Sequence, residues 1–193
     1  MNIETRAALL KEAEFLVRTR GYSAFSYADL AQRVQIAKAS VHHHFPKKED
    51  LITALVSEYV AVFVQTLARI ASENAAAADR LTVYARLFLD GLENGMLPLC
   101  GALSAERAAL PESLRASVRD FFQLHLDWLS GVVEEGVAAG DLRADAAPRE
   151  AALMLLSALE GGSLVGWALE RNADVLSAFA AALRSLKRGA QVT

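Results

Sequence analysis

Apolar residues recur at intervals of three and four along almost the whole chain, and this spacing predicts helices throughout. No run of alternating β-branched residues indicates a strand, so the expected fold class is all-α, with about nine helices. The glycines and prolines lie mostly between the periodic segments, where they are expected to end helices. After three shorter helices, the predicted helices span about 47–70, 79–94, 101–109, 111–139, 148–171 and 174–187.

The first 46 residues predict three helices packed as a helix-turn-helix head. An apolar stripe runs along a first helix over 4–20, which Gly21 is expected to end. Ser26 and Asp29 have the spacing of a reciprocal cap at the start of a second helix. The link 34–36 is too short for a long loop, so a third helix must cross the second at a steep angle. Pro46 is expected to end this third helix. The rest of the chain is expected to form a C-terminal helical bundle.

Charge is distributed unevenly along the chain. The 193 residues have a net charge of −3, but residues 1–63 carry eight Lys/Arg and seven Asp/Glu, and the remainder carries 12 and 16. Between Asp29 and Glu49 every charged residue is basic, and three of the four histidines lie there as well. An acid-free helical patch in an acidic protein predicts a surface that binds nucleic-acid phosphates.

Cysteine content and hydropathy bear on the compartment. A single cysteine excludes an internal disulfide and suits the reducing cytoplasm, which is the expected location. The N-terminus alternates charged and apolar residues at helical spacing, so we expect no secretory signal. The most apolar stretch, 153–169, is interrupted by Glu160 and diluted by glycine and alanine. It predicts a buried packing helix, and we expect no membrane partner.

The head carries motifs by which the chain resembles the TetR/AcrR family of bacterial transcriptional regulators. They are Thr5-Arg6 through Ala13, Gly21-Tyr22, the start of the second helix, and the run Ile36-Ala-Lys-Ala-Ser-Val-His-His-His-Phe-Pro-Lys-Lys-Glu-Asp-Leu51. The resemblance implies a helix-turn-helix DNA-binding domain over 1–63 and a ligand-binding and dimerisation domain over 64–193. It implies a homodimeric, sequence-specific regulator without cofactor or enzymatic activity. We expect a repressor that a small-molecule inducer releases from a pseudo-palindromic DNA operator.

The resemblance also assigns residues to the DNA surface. They are Ser26, Tyr27, Gln35, Lys38, Ala39, Ser40, His42, His43, Lys47 and Lys48. Lys38 would reach a phosphate or a purine edge, while Ala39 and Ser40 would approach the floor of the major groove. The two histidines and the second-helix residues would contact the phosphate backbone, and Lys48 would form an anion site with the amides that open the fourth helix. The alternative for Lys47 and Lys48 is a solvated helix start.

Three residues depart from the pattern usual in the family. Gln35 stands where glycine is common and where the backbone is expected to have a positive φ, at a cost of about 1 kcal/mol. Ala37 replaces a capping serine or threonine, which costs roughly 1 kcal/mol, and His42 replaces a tyrosine. Adjacent histidines on a helix point about 100° apart, so we expect no metal site in this run.

The body is expected to hold the inducer in an apolar cavity with one polar group. The candidate lining residues are Tyr84, Phe88, Leu92, Met96, Cys100, Phe121, His125 and Trp128. The last two lie at i+4 and i+7 from Phe121 on one helical face, and ordinary bundle packing is the alternative for each of them. Cys100, at the start of a helix, is a candidate thiol sensor for electrophilic inducers; its alternative is a small core residue.

The last two long helices predict a subunit interface. The candidate residues are Leu153, Leu156, Leu164, Trp167, Val175, Phe179 and Leu183. Gly162 and Gly166 would allow two helices to approach closely, and two helices from each subunit would form a four-helix bundle. In the alternative, both apolar stripes are buried within a single chain.

Two other classes of protein compete with a DNA-binding regulator. The first is a helical-bundle enzyme or small-molecule binder without DNA specificity, but the sequence has no nucleophile–base pair, phosphate loop or metal-ligand spacing. The second is an architectural DNA binder, which the negative net charge and the confined basic patch disfavour. Binding to a palindromic fragment under salt titration distinguishes all three classes.

Overall fold

The computed structural model describes residues 3–143, 145 and 147–187. Within these ranges the chain forms nine α-helices, one 3₁₀ turn and no strand, so the predicted all-α fold is confirmed. The helices are α1 (Ile3–Arg20), α2 (Tyr27–Val34), α3 (Lys38–His44), α4 (Lys48–Glu73), α5 (Ala77–Glu93), α6 (Leu99–Ala105), α7 (Glu112–Ala139), α8 (Pro148–Ala168) and α9 (Asp174–Leu186).

The helix bounds depart from the predicted ones by three residues or more at α4, α6 and α8. α4 ends at Glu73, three residues after its predicted end. The helix predicted over 101–109 begins two residues earlier, and its last part is a separate 3₁₀ turn over Arg107–Ala109. The helix predicted over 148–171 ends three residues earlier, at Ala168. Glu170, just beyond the end of this helix, has a φ of 55°. This angle lies in the left-handed region, so a right-handed helix cannot continue through Glu170.

The chain folds as two compact units. Unit 1 comprises Met1–Phe63 and Met96–Phe121, and unit 2 comprises Val64–Gly95 and Phe122–Thr193. We call Met96–Phe121, the second segment of unit 1 along the chain, the collar. The predicted functional domains, 1–63 and 64–193, stay a prediction. Their bounds differ from those of the compact units, because unit 1 also includes the collar.

Unit 1 contains the three-helix head. The predicted inward stripe of α1 is buried at Leu9, Ala13 and Leu16, as are Leu30 of α2 and Val41 of α3. Each buried leucine or valine among them contributes about 1.5–3 kcal/mol by leaving water, so these few positions fix how the short helices pack. Their burial leaves the opposite side of α3 for contact with a partner.

Polar bonds attach the collar to the end of α1. The buried Arg18 guanidinium donates from Nε to the carbonyl oxygen of Leu97 at 2.6 Å, and the Leu97 amide donates back to the Arg18 carbonyl at 3.1 Å. Glu106 accepts a bond from the Ser23 amide at 2.9 Å. At Gly21, where φ is 94° as the predicted helix stop requires, a Cβ atom would lie 2.1 Å from a Glu106 oxygen. A side chain at this position would displace the Glu106 carboxylate, and the positive φ would strain it as well.

In unit 2, α8 packs along α9 at close range. A Cβ atom on Gly162 would lie 3.1 Å from the Cα of Val175, and one on Gly166 would lie 2.9 Å from the Arg171 carbonyl oxygen. These two glycines were expected to allow helices to approach closely, and they do so within the chain, where they face its own segment 171–175.

Two helices, Lys48–Glu73 and Pro148–Ala168, have the length and apolar composition of a membrane span. Packed helices of water-soluble proteins meet the same criteria, so the two helices are weak indications of a membrane protein. The glycine contacts of α8 with 171–175 are those of a helix that packs against protein.

Candidate functional site

The start of α2 is fixed by the reciprocal cap that the sequence predicts. The Ser26 hydroxyl accepts from the amides of Ala28 and Asp29 at 3.2 and 3.3 Å, and the Asp29 carboxylate accepts from the Ser26 amide at 2.7 Å. The Asp29 carboxylate also accepts from the Ser26 hydroxyl at 2.7 Å, and this bond, followed by the one from the Ser26 amide, lowers the pKa of Asp29. The cap sets where α2 begins and so where the following turn places α3.

The turn between α2 and α3 has the conformation expected of it. Gln35 ends α2 in the left-handed region, with φ 58° and ψ 44°, and its amide bonds to the carbonyl groups of Ala31 and Gln32. Gln35 therefore has the positive φ that was expected, and Ala37 leaves the start of α3 without a side-chain cap.

Replacing Gln35 with glycine is expected to raise the free energy of unfolding by ~0.5–1 kcal/mol, because glycine adopts positive φ without a Cβ clash. Gln32→Gly, in the exposed last turn of α2, is the matched control and is expected to lower it by ~0.5–1 kcal/mol. Urea denaturation of both variants measures the difference. Equal destabilisation by the two substitutions would contradict strain at position 35.

α3 presents a basic outer face and an apolar inner face. Lys38, Ala39, His42 and His43 are exposed at i, i+1, i+4 and i+5, while Val41 is buried. No acidic side chain belongs to α3. The helix therefore offers neighbouring hydrogen-bond donors on one side, as a helix in a major groove requires.

His42 is oriented by two contacts. The edge of its ring meets the Tyr27 ring, with centroids 4.8 Å apart, and its Nδ1 lies 3.4 Å from the carbonyl oxygen of Pro46. At the end of α3, the Arg6 guanidinium lies over the Phe45 ring and forms an ion pair with Glu58. The apolar pattern did not reveal Arg6 as a residue that positions α3, since its partners lie far away in the chain.

The resemblance implied a phosphate contact for Tyr27, but the structure bonds its side chain within the head. The side chain is buried, with 7% of its surface exposed, and its hydroxyl donates to the Phe45 carbonyl at 2.9 Å. Burial, followed by the nearby Asp50 carboxylate, raises its pKa to about 12. Tyr27 ties α2 to the end of α3, and a phosphate could engage its proton only by breaking that bond.

Lys48 also differs from its predicted role as an anion site. Its ammonium donates to the carbonyl oxygens of Tyr22, at 2.5 Å, and Phe25, and it lies 4.8 and 3.8 Å from the centres of their rings. Burial lowers its pKa. In the structure the side chain is therefore bonded at the α1–α2 corner, unlike a lysine surrounded by solvent.

The basic patch is smaller than the residue list between Asp29 and Glu49 suggests. Arg33 forms an ion pair with Glu12 at 2.5 Å and lies over the Phe15 ring, so it is a head-stabilising residue. Lys38 and Lys47 remain exposed. With Ser26, Gln35, Ala39, the half-buried Ser40, His42 and His43, they are the predicted DNA residues that the structure leaves on the head surface.

Four of the eight predicted ligand residues come together in unit 2. The Tyr84 hydroxyl and His125 Nδ1 are hydrogen-bonded, the Tyr84 and Trp128 rings stack with centroids 5.2 Å apart, and Phe88 meets the edges of the Tyr84 and His125 rings. Phe122, which the sequence analysis missed, lies 6.4 Å from His125. Leu92, buried on the same helix as Phe88, has its carbonyl group bonded by Asn172.

The other three predicted ligand residues, Met96, Cys100 and Phe121, belong to unit 1. Phe121 packs against the rings of Tyr59 and Phe63. Cys100 is 1% exposed, which favours its alternative reading as a core residue over an accessible thiol. The sequence set therefore joins two groups of residues that lie in different compact units.

The predicted subunit interface needs correction. Leu156, Val175, Phe179 and Leu183 are buried within the chain, so the α9 stripe is consumed internally, as the alternative had it. Leu153 and Leu164 are exposed and Trp167 is half-buried. The exposed apolar residues of α8 and its end are Leu153, Met154, Leu164, Val165 and Leu169. Between them lie Ser157 and Gly161, and a Cβ atom on Gly161 would meet nothing within 4 Å.

A capped helix-turn-helix with an acid-free outer helix, followed by a helical body, defines a DNA-binding regulator. A family model described as bacterial regulatory proteins, tetR family, matches residues 9–55, and one described as tetracyclin repressor-like, C-terminal domain, matches residues 77–183. The chain belongs to the TetR family of transcriptional regulators, with a DNA-binding helix-turn-helix domain and a ligand-binding C-terminal domain.

Two relatives with solved structures match the fold of this protein over nearly the whole chain, and a third relative matches most of its sequence. A TetR-family regulator from Agrobacterium tumefaciens is 30% identical, with a TM-score of 0.91, over 96% of this chain and 98% of that one. A TetR regulator from Legionella pneumophila is 28% identical, with a TM-score of 0.85, over 97% and 100%. The transcriptional regulator AcuR of Cereibacter sphaeroides is 27% identical over 83% of this chain and 74% of its own length.

Proposed function

We propose that the protein is a homodimeric repressor of the cytoplasm, which binds a pseudo-palindromic operator and is released from it by a small-molecule inducer. The observation that carries this proposal is the outer face of α3, whose four exposed positions include no acid. The residues beneath that face are fixed by Val41 and by the bond between Tyr27 and Phe45. A rigid support lets short side chains specify base positions.

In this proposal Lys38 and Lys47 neutralise phosphates, and His42 and His43 donate to phosphate oxygens. Ser26, whose hydroxyl is bonded to Asp29, lies beside them at the exposed start of α2. Ala39 and Ser40 lie towards the groove floor, where alanine can touch a thymine methyl group and serine can donate or accept. Gln35 lies at the entrance of α3, where its exposed amide can reach the backbone.

Dimerisation is assigned to the exposed face of α8. Leu153, Leu164 and Val165 flank the open surface of Gly161, so that two copies of α8 can approach with their backbones close together. α9 lies behind α8 in each subunit and completes a four-helix bundle. A two-fold axis there sets two recognition helices roughly 34–36 Å apart, or a multiple of that distance, which matches half-sites one or more turns apart.

Release by an inducer needs only modest energy. A hundredfold loss of operator affinity corresponds to about 2.7 kcal/mol of differential binding. The collar is the element through which the body can act on the head, because its bonds to Arg18 and Ser23 attach it to the end of α1 and to the corner before α2. We assign the protein no catalytic role, since the family to which it belongs is regulatory.

Substituting Lys38 and His43 separately with alanine is expected to weaken operator binding about tenfold each, the loss of one direct contact. For Lys38→Ala we also expect the slope of log affinity against log salt to fall by about one, because one fewer counterion is released. Fluorescence anisotropy with a palindromic fragment from the promoter next to the gene measures both.

Lys11→Ala is the matched control, since Lys11 is an exposed lysine of the head on α1 and is expected to leave affinity unchanged. Unchanged affinity for both α3 variants would overturn the proposed DNA surface. Equal affinity for the operator and for unrelated DNA would favour an architectural binder instead.

A further inference from the structure

Five side chains of unit 2 form one aromatic cluster, which we define as Tyr84, Phe88, Phe122, His125 and Trp128. α5 supplies the first two and α7 supplies the other three. Tyr84 and Trp128 are nearly parallel, at 29°, whereas the planes of Tyr84 and Phe88 meet at 60° and those of Tyr84 and His125 at 71°. The rings are thus arranged for contact with each other and do not face a common centre.

Burial changes across the cluster. Tyr84 is fully buried and His125 is 3% exposed, whereas Phe122 and Trp128 keep part of their surface open. The polar pair is therefore the inner end of the cluster, and the two partly exposed residues are its outer end. A molecule that reaches the cluster meets flat aromatic surface first.

The cluster is electrically neutral. Burial lowers the pKa of His125 to about 3, so its imidazole is uncharged at neutral pH, and it shares a hydrogen bond with the phenol of Tyr84. Charged residues of the same two helices lie at the surface: Arg86 and Asp90 are exposed, and Asp127 is bonded to Arg149 at 2.9 Å. A bound ion would lose its hydration without meeting an opposite charge among the five side chains.

On the basis of the proposed inducer-responsive function, we propose that the aromatic cluster recognises an uncharged, flat aromatic molecule, and discriminates against aromatic acids and amines of the same shape. The ligand contacts the partly exposed rings of Trp128 and Phe122. Cation recognition by aromatic cages needs several ring faces turned to one point. The edge-on contacts of Phe88 and His125 with Tyr84 do not provide such an arrangement.

Three probes of one shape test this inference. Benzamide, benzoate and benzamidinium are planar and have the same number of heavy atoms, but they are neutral, negative and positive at pH 7.5. Ligand-observed NMR titration of the full-length protein, up to ~10 mM of each probe, is expected to give benzamide the lowest Kd, at least about tenfold below both ions.

Tighter binding of benzoate, or no binding of any probe, would overturn the inference. Tighter binding of benzamidinium would overturn it too.

Two tryptophan variants locate the binding. Trp128→Leu removes the ring while keeping an apolar side chain, and it is expected to weaken benzamide binding about tenfold. Trp167→Leu, which changes the other tryptophan of the chain, is the control and is expected to leave the Kd unchanged. An unchanged Kd for Trp128→Leu, with circular dichroism like that of the wild type, would contradict the assignment. Operator binding without any probe tests the proposed function alone, so the two failures are distinguishable.

Discussion

Leu164→Asp is expected to leave the protein monomeric at concentrations at which the wild type dimerises, and to lower operator affinity about 100-fold or more. Leu164 is 53% exposed in the single chain, on the face of α8 assigned to the second subunit. A two-fold axis buries both copies of the new carboxylate in one interface, where each loses hydration without a cation to meet it. Light scattering after size exclusion measures the mass, and anisotropy measures the affinity.

Val62→Asp is the control for this substitution, because Val62 is an equally apolar, 63% exposed position on α4. It is expected to leave the mass of the assembly unchanged. A dimeric Leu164→Asp protein with wild-type affinity would rule out the outer face of α8 as the interface, and with it the glycine contact at position 161.

Lys48→Met is expected to lower the free energy of unfolding by ~2–4 kcal/mol, since it removes a charge-assisted donor from two carbonyl groups and a cation from between two rings. The methionine keeps most of the apolar stem, so that packing changes little. Lys47→Met is the neighbouring control, with an exposed side chain, and is expected to change stability by less than ~0.5 kcal/mol. Urea denaturation compares the two.

Operator binding of the same pair separates the two roles of adjacent lysines. Lys47→Met is expected to lower the salt dependence of operator affinity, and folded Lys48→Met is expected to retain it. The reverse result, with a stable Lys48→Met that binds DNA poorly, would restore Lys48 to the anion site that the resemblance implied.

The head was predictable because its signals are local. The Ser26–Asp29 cap, the glycine stop and the strained turn at Gln35 each depend on a few consecutive residues, and all were found as expected. The roles of Tyr27 and Lys48 were not predictable in this way. Their partners lie 18 to 26 positions away, and only the folded chain shows that a polar tip is already bonded.

The body shows the limits of helical periodicity. The stripe of Val175, Phe179 and Leu183 revealed that α9 has one buried face, but the pattern does not say whether the covering helix belongs to the same chain. Adjacent residues of α7 illustrate the same point: Phe121 packs with Tyr59 in unit 1, and Phe122 approaches His125 in unit 2. Side chains about 100° apart on a helix take part in different cores.

The bonds between the collar and the head have a consequence for biosynthesis. Arg18 and Ser23 find their partners at Leu97 and Glu106, about 80 residues later. A nascent chain can therefore cap and pack its first three helices while the ribosome is still translating the middle of the message. The end of α1 lacks its last polar contacts until Glu106 has emerged from the ribosome. Assembly of the DNA-reading half thus finishes only after more than half of the polypeptide has been made.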